Sequence, residues 1–336
     1  MKNIAFRVDD PRSYRKAGSR SIIELTGAAG NNDLYIQKRK LELLVAAIVS
    51  KENVNLSGPT GSGKTARIEA LSLVADNFIP VCRDLGFPEK PLKTFPVEMT
   101  QFDTPSELYR IRALQDGNTF YEDSIIFRSI AEARSIKDTH YAVIWCRELG
   151  RCQNGVQGAL LNIISRGDIL TADGRRIPSE GISFLTDNNY QAADDAVHSL
   201  CVFDDALRRR FSINITLDYL PAETEEIILR NLASREGLGA DEKNLMSLVL
   251  LGEKIRAARA DGRFQSLAPP TIHGYLGALR LQALLPSYLL QDVLEHSILG
   301  NASSEDRKLF PALYHEVFGA EAVCSEEDVA IAGDLL

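Results

Sequence analysis

A chain of 336 residues is long enough for one large domain or two ordinary ones, and its 45% hydrophobic and 25% charged content is that of a soluble globular protein. Its 46 acidic against 38 basic residues leave a formal net charge of -8, which argues against broad nucleic-acid binding driven by phosphate neutralisation. No apolar run approaches a membrane span or a secretory signal, so no membrane insertion and a cytoplasmic location are expected.

In chain order, residues 1–33 are polar and turn-rich, punctuated by Asp9-Asp10-Pro11, and read as an N-terminal arm. Leu41, Leu44, Val45 and Ile48 then mark one face of a helix over 36–50. Val54-Asn55-Leu56 reads as a short strand that runs into Gly58-Pro59-Thr60-Gly61-Ser62-Gly63-Lys64-Thr65, a match to G-x-x-x-x-G-K-[ST]. In that pattern glycines let consecutive backbone N–H groups cradle the α- and β-phosphates, the lysine reaches the β/γ oxygens, and the threonine offers its hydroxyl to Mg²⁺. Ile68, Leu71, Val74 and Ala75 recur at helical spacing behind it, so a helix adds its positive end. A flexible Gly/Ser loop explains the glycines but not this strand-loop-helix context. ATP and Mg²⁺ are the expected ligands.

Residues 77–93, with Pro80, Pro88 and Pro91, read as irregular, and 94–99 as a strand weakened by Pro96. Thr104-Pro105 can open a short helix, Asp116-Gly117-Asn118 can turn a hairpin, and Ile126, Ile130 and Ala133 carry an amphipathic helix. The apolar run from Tyr141 to Cys146 has the pattern of a central parallel strand buried on both faces, and it ends in Arg147-Glu148. A helix bearing Val156, Leu160 and Ile163 follows, then a hairpin signalled by Asp173-Gly174, a strand over 182–186, a short helix over 204–210 and a last strand over 211–217. Beyond Pro221 only helical patterns occur, over 223–233, 244–260, 272–285, 288–299 and 304–318. Strands alternating with helices and then helices alone predict an α/β P-loop core with a central parallel sheet over 34–220 and an all-α lid over 221–336. Cys82, Cys146, Cys152, Cys201 and Cys324 are scattered, as are the five histidines, which suits reduced buried thiols better than a disulfide framework or a metal cluster.

The segment RELGRCQNGVQGALLNIISRGDI, with DILTADGRRIP, LTDNN, ALRRRF and TPSELYR in this order, resembles the MoxR-type AAA+ ATPases, whose relatives include the CbbQ/NirQ and GvpN groups. The resemblance covers roughly 36–220, extends more weakly into the lid, and implies an AAA+ core. It implies that Glu148 polarises the attacking water, that Asn188 helps hold that water or the γ-phosphate, and that Arg210, with Arg209 as the alternative, is an arginine finger offered to a neighbouring subunit. Without the resemblance these residues read as a solvated strand-end carboxylate, a turn asparagine and a surface arginine cluster. An arginine acting in trans requires a ring, and the family's usual ring is a hexamer. A protein client, in this family commonly a von Willebrand A domain protein, is implied in the same way.

Two departures stand out. Arg147 occupies the position before Glu148 where the family keeps an Asp that holds the Mg²⁺ water shell. At about 5 Å and an effective dielectric near 20, that two-unit swap changes the interaction with a divalent ion by roughly 13 kcal/mol before relaxation. Arginine cannot shed its proton, so it must rotate away, pair with Glu148 or contact phosphate. Thr65 is then left as the main protein ligand for the metal. In the lid, Thr271 or Ile272 stands where the family has an arginine, with Arg263 and Arg280 as candidate substitutes. The leading expectation is an ATPase that remodels or loads a partner protein. The alternatives are a nucleotide-binding scaffold with weak or no hydrolysis and, ranked lower, a nucleic-acid motor.

Overall fold

Residues 22–25, 34–171, 173–189, 203–239, 241–264, 266–267, 270–300 and 302–319 are described by the structure, a computed structural model. The chain divides into two units, at Tyr219 and Leu220. The first begins with β1 (Ile22–Leu25), paired antiparallel with β2 (Leu34–Gln37), a hairpin that the polar reading of the arm did not anticipate. Leu25 and Ile36 are the reason it forms: both are buried in the core beneath α1 (Lys38–Val49). The rest of the proposed arm lies outside the described residues.

β3 (Val54–Gly58) leads into α2 (Lys64–Leu73), which stops at Val74, where the backbone becomes extended at φ -116° and ψ 96°. A second helix, α3 (Ala75–Asp84), follows, in a stretch expected to be irregular, with Pro80 inside it. An interior proline costs a helix about 3 kcal/mol. Phe78, Val81 and Cys82 are all buried here, and burying each such side chain contributes about 1.5–3 kcal/mol, so packing outweighs the proline. β4 (Leu92–Glu98) tolerates Pro96 because it is an edge strand, paired on one side alone in its sheet.

The hairpin of β5 (Arg110–Gln115) and β6 (Asn118–Asp123) forms as the sequence predicts. Its turn residues Asp116 and Gly117 both take positive φ, at 52° and 78°, as a two-residue turn matched to strand twist requires. Then come α4 (Ile125–Ile136), β7 (Tyr141–Arg147), α5 (Asn154–Arg166), the short pair β8 (Asp168–Leu170) and β9 (Arg176–Pro178), β10 (Ser183–Asn189), α6 (Asp205–Arg208) and β11 (Ile213–Thr216). The central sheet runs β11-β3-β10-β7-β4, every pair parallel. Alternation along β7 explains its continuous apolar run: Ile144 and Cys146 join the core with α4 and α5, Val143 and Trp145 the core with α1 to α3. With helices on both faces, the sheet's C-terminal strand ends are left for the loops.

The second unit is helical: α7 (Ala222–Arg235), α8 (Glu242–Ala260), α9 (Ile272–Leu284), α10 (Leu290–Ile298) and α11 (Ser304–Phe318). Leu229, Leu248, Ile255, Tyr275, Leu294 and Phe310 lie at its core. Gly252 of α8 faces the buried Tyr275 so closely that a Cβ there would stand 1.5 Å from the phenol oxygen. Gly252→Ala is therefore expected to destabilise the unit by about 2 kcal/mol, overpacking outweighing the gain of about 1 kcal/mol in helix propensity. Chemical denaturation measures it, and Tyr275→Phe in the same chain should return part of the loss.

No helix among the described residues is long and apolar enough to cross a membrane, and no group of three or more His, Cys, Asp or Glu among them could hold a metal. Cys82, Cys146 and Cys152 are buried, and burial pushes the Cys82 thiol up to about 11, which keeps it unreactive at neutral pH. Cys201 and Cys324 lie outside the described residues.

Candidate nucleotide site

The loop between β3 and α2 is held in a shape that three glycines permit. Gly58 has φ 157°, and a Cβ on it would lie 2.1 Å from the carbonyl oxygen of Leu217, just past β11. Gly61 and Gly63 have φ 81° and 74°, and Gly63 is the residue from which α2 starts. Ser62 Oγ donates to the Pro59 carbonyl at 2.9 Å, and the Tyr219 hydroxyl donates to the Thr60 carbonyl at 3.0 Å. Arg67, one turn into α2 and 4% exposed, donates through Nε to the Tyr35 carbonyl of β2 at 2.6 Å and through Nη1 to the Ser62 carbonyl. The β1–β2 hairpin thereby braces the loop from behind. The motif pattern gave no sign of Arg67, Tyr35 or Tyr219, since none belongs to the eight matched positions.

Lys64 is buried and its Nζ donates to the Gly58 and Pro59 carbonyls, each at 2.9 Å. Burial pushes its ammonium down to about 8, with Asp187 and Glu148 pulling it up and Arg67 and Arg151 pushing the same way as burial. Burial likewise pushes Arg67 down to about 10. Thr65 Oγ1 donates to Asp187 Oδ2 at 2.9 Å.

Strand register brings the other residues to this end of the sheet. Asp187 of β10 lies between Leu56 of β3 and Arg147 of β7, and Asn188 and Asn189 lie beside Ser57 and Gly58. Glu148 follows β7 directly, with φ 51° and ψ 38°, and its Oε2 accepts from Arg151 Nη1 at 2.9 Å. The Asn188 amide is fully engaged. Its Oδ1 accepts from the Gly150 N–H at 2.7 Å, and its Nδ2 donates to Asn55 Oδ1 at 2.8 Å and Thr186 Oγ1 at 3.3 Å. In this geometry Asn188 ties the loop after Glu148 to the strand that leads into the phosphate loop.

Arg147 pairs with neither Glu148 nor the phosphate loop. Its Nη1 lies 2.5 Å from Glu98 Oε1 at the end of β4, and its guanidinium lies over the Trp145 ring at 5.0 Å. Asp187 has 4% exposure, and its Oδ1 accepts from Trp145 Nε1 at 2.8 Å. Burial raises its carboxyl, with the Trp145 and Thr65 hydrogen bonds and Arg147 opposing that shift. Sequence reading passed over Asp187 because a single acid at a strand end carries no motif.

Arg208, Arg209 and Arg210 are exposed around the end of α6. The Arg210 carbonyl accepts from Asn53 Nδ2 at 3.0 Å, at the opening of β3, while the phosphate loop leaves that strand's other end. At about 3.3 Å per residue the two ends are roughly 16 Å apart. Arg208 and Arg209 line a depression with Phe211, Ser212 and Asn214. In the helical unit Thr271 caps α9 by accepting from the Gly274 N–H, Arg280 is paired with Glu236 at 2.6 Å, and Arg263 lies 3.6 Å from Asp261.

A glycine-permitted turn, an ammonium and a hydroxyl at the start of a helix, and a buried carboxylate behind the hydroxyl are a donor set that fits a magnesium-bound polyphosphate. Lys64 and the loop N–H groups would hold the phosphates, and Thr65 the cation. These features define a P-loop nucleotide-binding domain. Residues 53–211, within the α/β unit, match the family model described as AAA domain (dynein-related subfamily). Uncharacterized proteins of Staphylococcus aureus, those of strains NCTC 8325 and COL among them, are 21% identical over 272 residues, which is 79% of this chain and 89% of theirs. Among solved structures, the Thermotoga maritima RuvB Holliday junction branch migration motor is 14% identical, with 77% of this chain and 67% of that one covered and a TM-score of 0.41. NtrX from Brucella abortus in complex with ADP is 13% identical, with 62% and 44% covered and a TM-score of 0.38.

Proposed function

We propose that this chain is a MoxR-like AAA+ ATPase that binds Mg²⁺-ATP, hydrolyses it, and works as a ring to remodel or load a partner protein. One observation carries the reading: Lys64 and Thr65 start α2 at the same end of the sheet at which β7 delivers Glu148. A carboxylate beside a triphosphate can orient and polarise water for in-line attack, which is most of what phosphoryl transfer asks of a protein. The arginines around Arg210 sit at the far end of β3, so they cannot reach their own phosphate loop and suit a neighbouring subunit's nucleotide. The exposed β5–β6 hairpin suits contact with a client. Leu114 on β5 is 75% exposed, and Arg110 stacks on Tyr121 across the same hairpin at 4.2 Å.

Magnesium-dependent phosphate release is the test. Glu148→Gln keeps the side chain's size and removes its charge, and turnover is expected to fall about 100-fold with nucleotide affinity unchanged. Nucleotide binding without turnover in the unaltered chain would replace this reading with a second one, a nucleotide-dependent switch. The Glu148–Arg151 ion pair favours that alternative, because it holds the carboxylate on a guanidinium.

A further inference from the structure

We propose that Asp187 is the carboxylate serving the cation side of the phosphate site: it accepts a hydrogen bond from the Thr65 hydroxyl and so presents that oxygen's lone pairs to a divalent cation bound with the nucleotide. The inference rests on the nucleotide-binding reading above and assigns a role to a residue outside the phosphate-loop pattern. A hydroxyl is a weak, neutral ligand whose orientation is free until an acceptor takes a hydrogen bond from it. Asp187 Oδ2, 2.9 Å from Thr65 Oγ1, does so. A carboxylate that fixes a ligand's tautomer or rotor in this way changes metal affinity by about 10–100-fold.

The surroundings of Asp187 point the same way. It is 4% exposed, and the side chains that hydrogen-bond it, Thr65 and Trp145, are both neutral, while the Lys64 and Arg147 charges act on it through space. Burying a carboxylate on neutral donors is costly, and a divalent cation on the far side of Thr65 would add to the compensation that the Lys64 and Arg147 charges supply. Arg147 is its register neighbour on β7 and could have consumed the charge directly. The guanidinium is instead drawn to Glu98, one strand further out, and rests on the face of the same indole whose N–H binds Asp187. Both Asp187 oxygens stay with Thr65 and Trp145. The acid at the end of β10 thus stands on the strand adjoining the phosphate loop, while the arginine at the end of β7 pairs outward with Glu98.

The experiment measures the affinity of the full chain for a fluorescent ATP analogue, with Mg²⁺ and with EDTA, for the unaltered protein and three variants. Asp187→Asn keeps the side chain's shape and an acceptor for Trp145. It is expected to hold its affinity in EDTA and to lose about tenfold of the tightening that Mg²⁺ produces. Adding Arg147→Asp to that variant returns a carboxylate across the register and should restore most of the tightening, which a purely structural role for Asp187 would not allow. Trp145→Phe removes the other hydrogen bond to Asp187 and should leave the Mg²⁺ effect intact. Should Asp187→Asn fail to fold, Arg147→Asp alone decides, with a Mg²⁺ effect at least as large as that of the unaltered chain expected. Undiminished Mg²⁺ tightening in folded Asp187→Asn, or loss of it in Trp145→Phe, overturns the inference while nucleotide binding stands. An unaltered chain that binds no nucleotide overturns both readings.

Discussion

Lys64→Met is expected to weaken ATP-analogue binding about a thousandfold while leaving the fold intact. At about 4 Å and an effective dielectric near 20, one ammonium–phosphate charge pair is worth roughly 4 kcal/mol, and methionine keeps the length of the side chain while losing that term. The ammonium is also a burden on the nucleotide-free fold. Its titration point of about 8, against an ordinary value of 10.5, corresponds to about 3 kcal/mol of disfavoured charge at neutral pH. The hydrogen bonds to Gly58 and Pro59 are what Met would forfeit. Without nucleotide, the variant should therefore melt at or above the temperature of the unaltered chain.

The sign of the pH dependence follows. Below about 8 Lys64 is protonated in both the folded and unfolded chain, and the full cost is present. Between about 8 and 10.5 the unfolded chain binds the extra proton, so stability rises with pH; above that range both are neutral and the cost is gone. Lys64→Met should lack this rise. Nucleotide binding needs the charged form, so affinity in the unaltered chain should fall up to tenfold per pH unit above about 8. Calorimetric melting and titration binding across pH 6–10 measure both slopes.

The phosphate loop was legible because its chemistry is local. Glycine conformations, a lysine and a hydroxyl must occupy neighbouring positions in the chain, so the pattern is written in consecutive residues. β7 was legible for a related reason, since burial on both faces leaves an unbroken apolar run. Asp187 and Arg67 were not, because what gives each its role is a contact from another element. Asp187 meets Thr65 across 122 positions, and Arg67 meets Tyr35 across 32. Prolines misled over α3, where the helix survives because its buried face outweighs one lost hydrogen bond. The end of β7 shows the same limit. The sequence shows that Arg147 must be neutralised somewhere, but its partner Glu98 is a register neighbour on β4, which strand pairing alone discloses.

Gly58→Ala should be the most damaging single-methyl change in the α/β unit, with an expected loss of about 4 kcal/mol. Two costs coincide. At φ 157° the residue occupies a region that side-chain-bearing residues rarely adopt, worth about 1–3 kcal/mol by itself. The added Cβ would also meet the Leu217 carbonyl oxygen at 2.1 Å, and that atom is backbone, which no rotamer change can move. Nor can β11 shift freely, because Leu217 N–H donates to the Ser57 carbonyl at 2.7 Å and Thr216 pairs with Ser57 in the sheet. Relief must come from the loop itself, which would carry the Gly58 carbonyl away from Lys64 Nζ. Stability and nucleotide affinity should therefore fall together in Gly58→Ala, whereas Lys64→Met separates them. Urea denaturation paired with analogue binding reads both quantities. A Gly58→Ala chain that kept its stability but lost its ligand would show the loop, not the sheet, absorbing the methyl group.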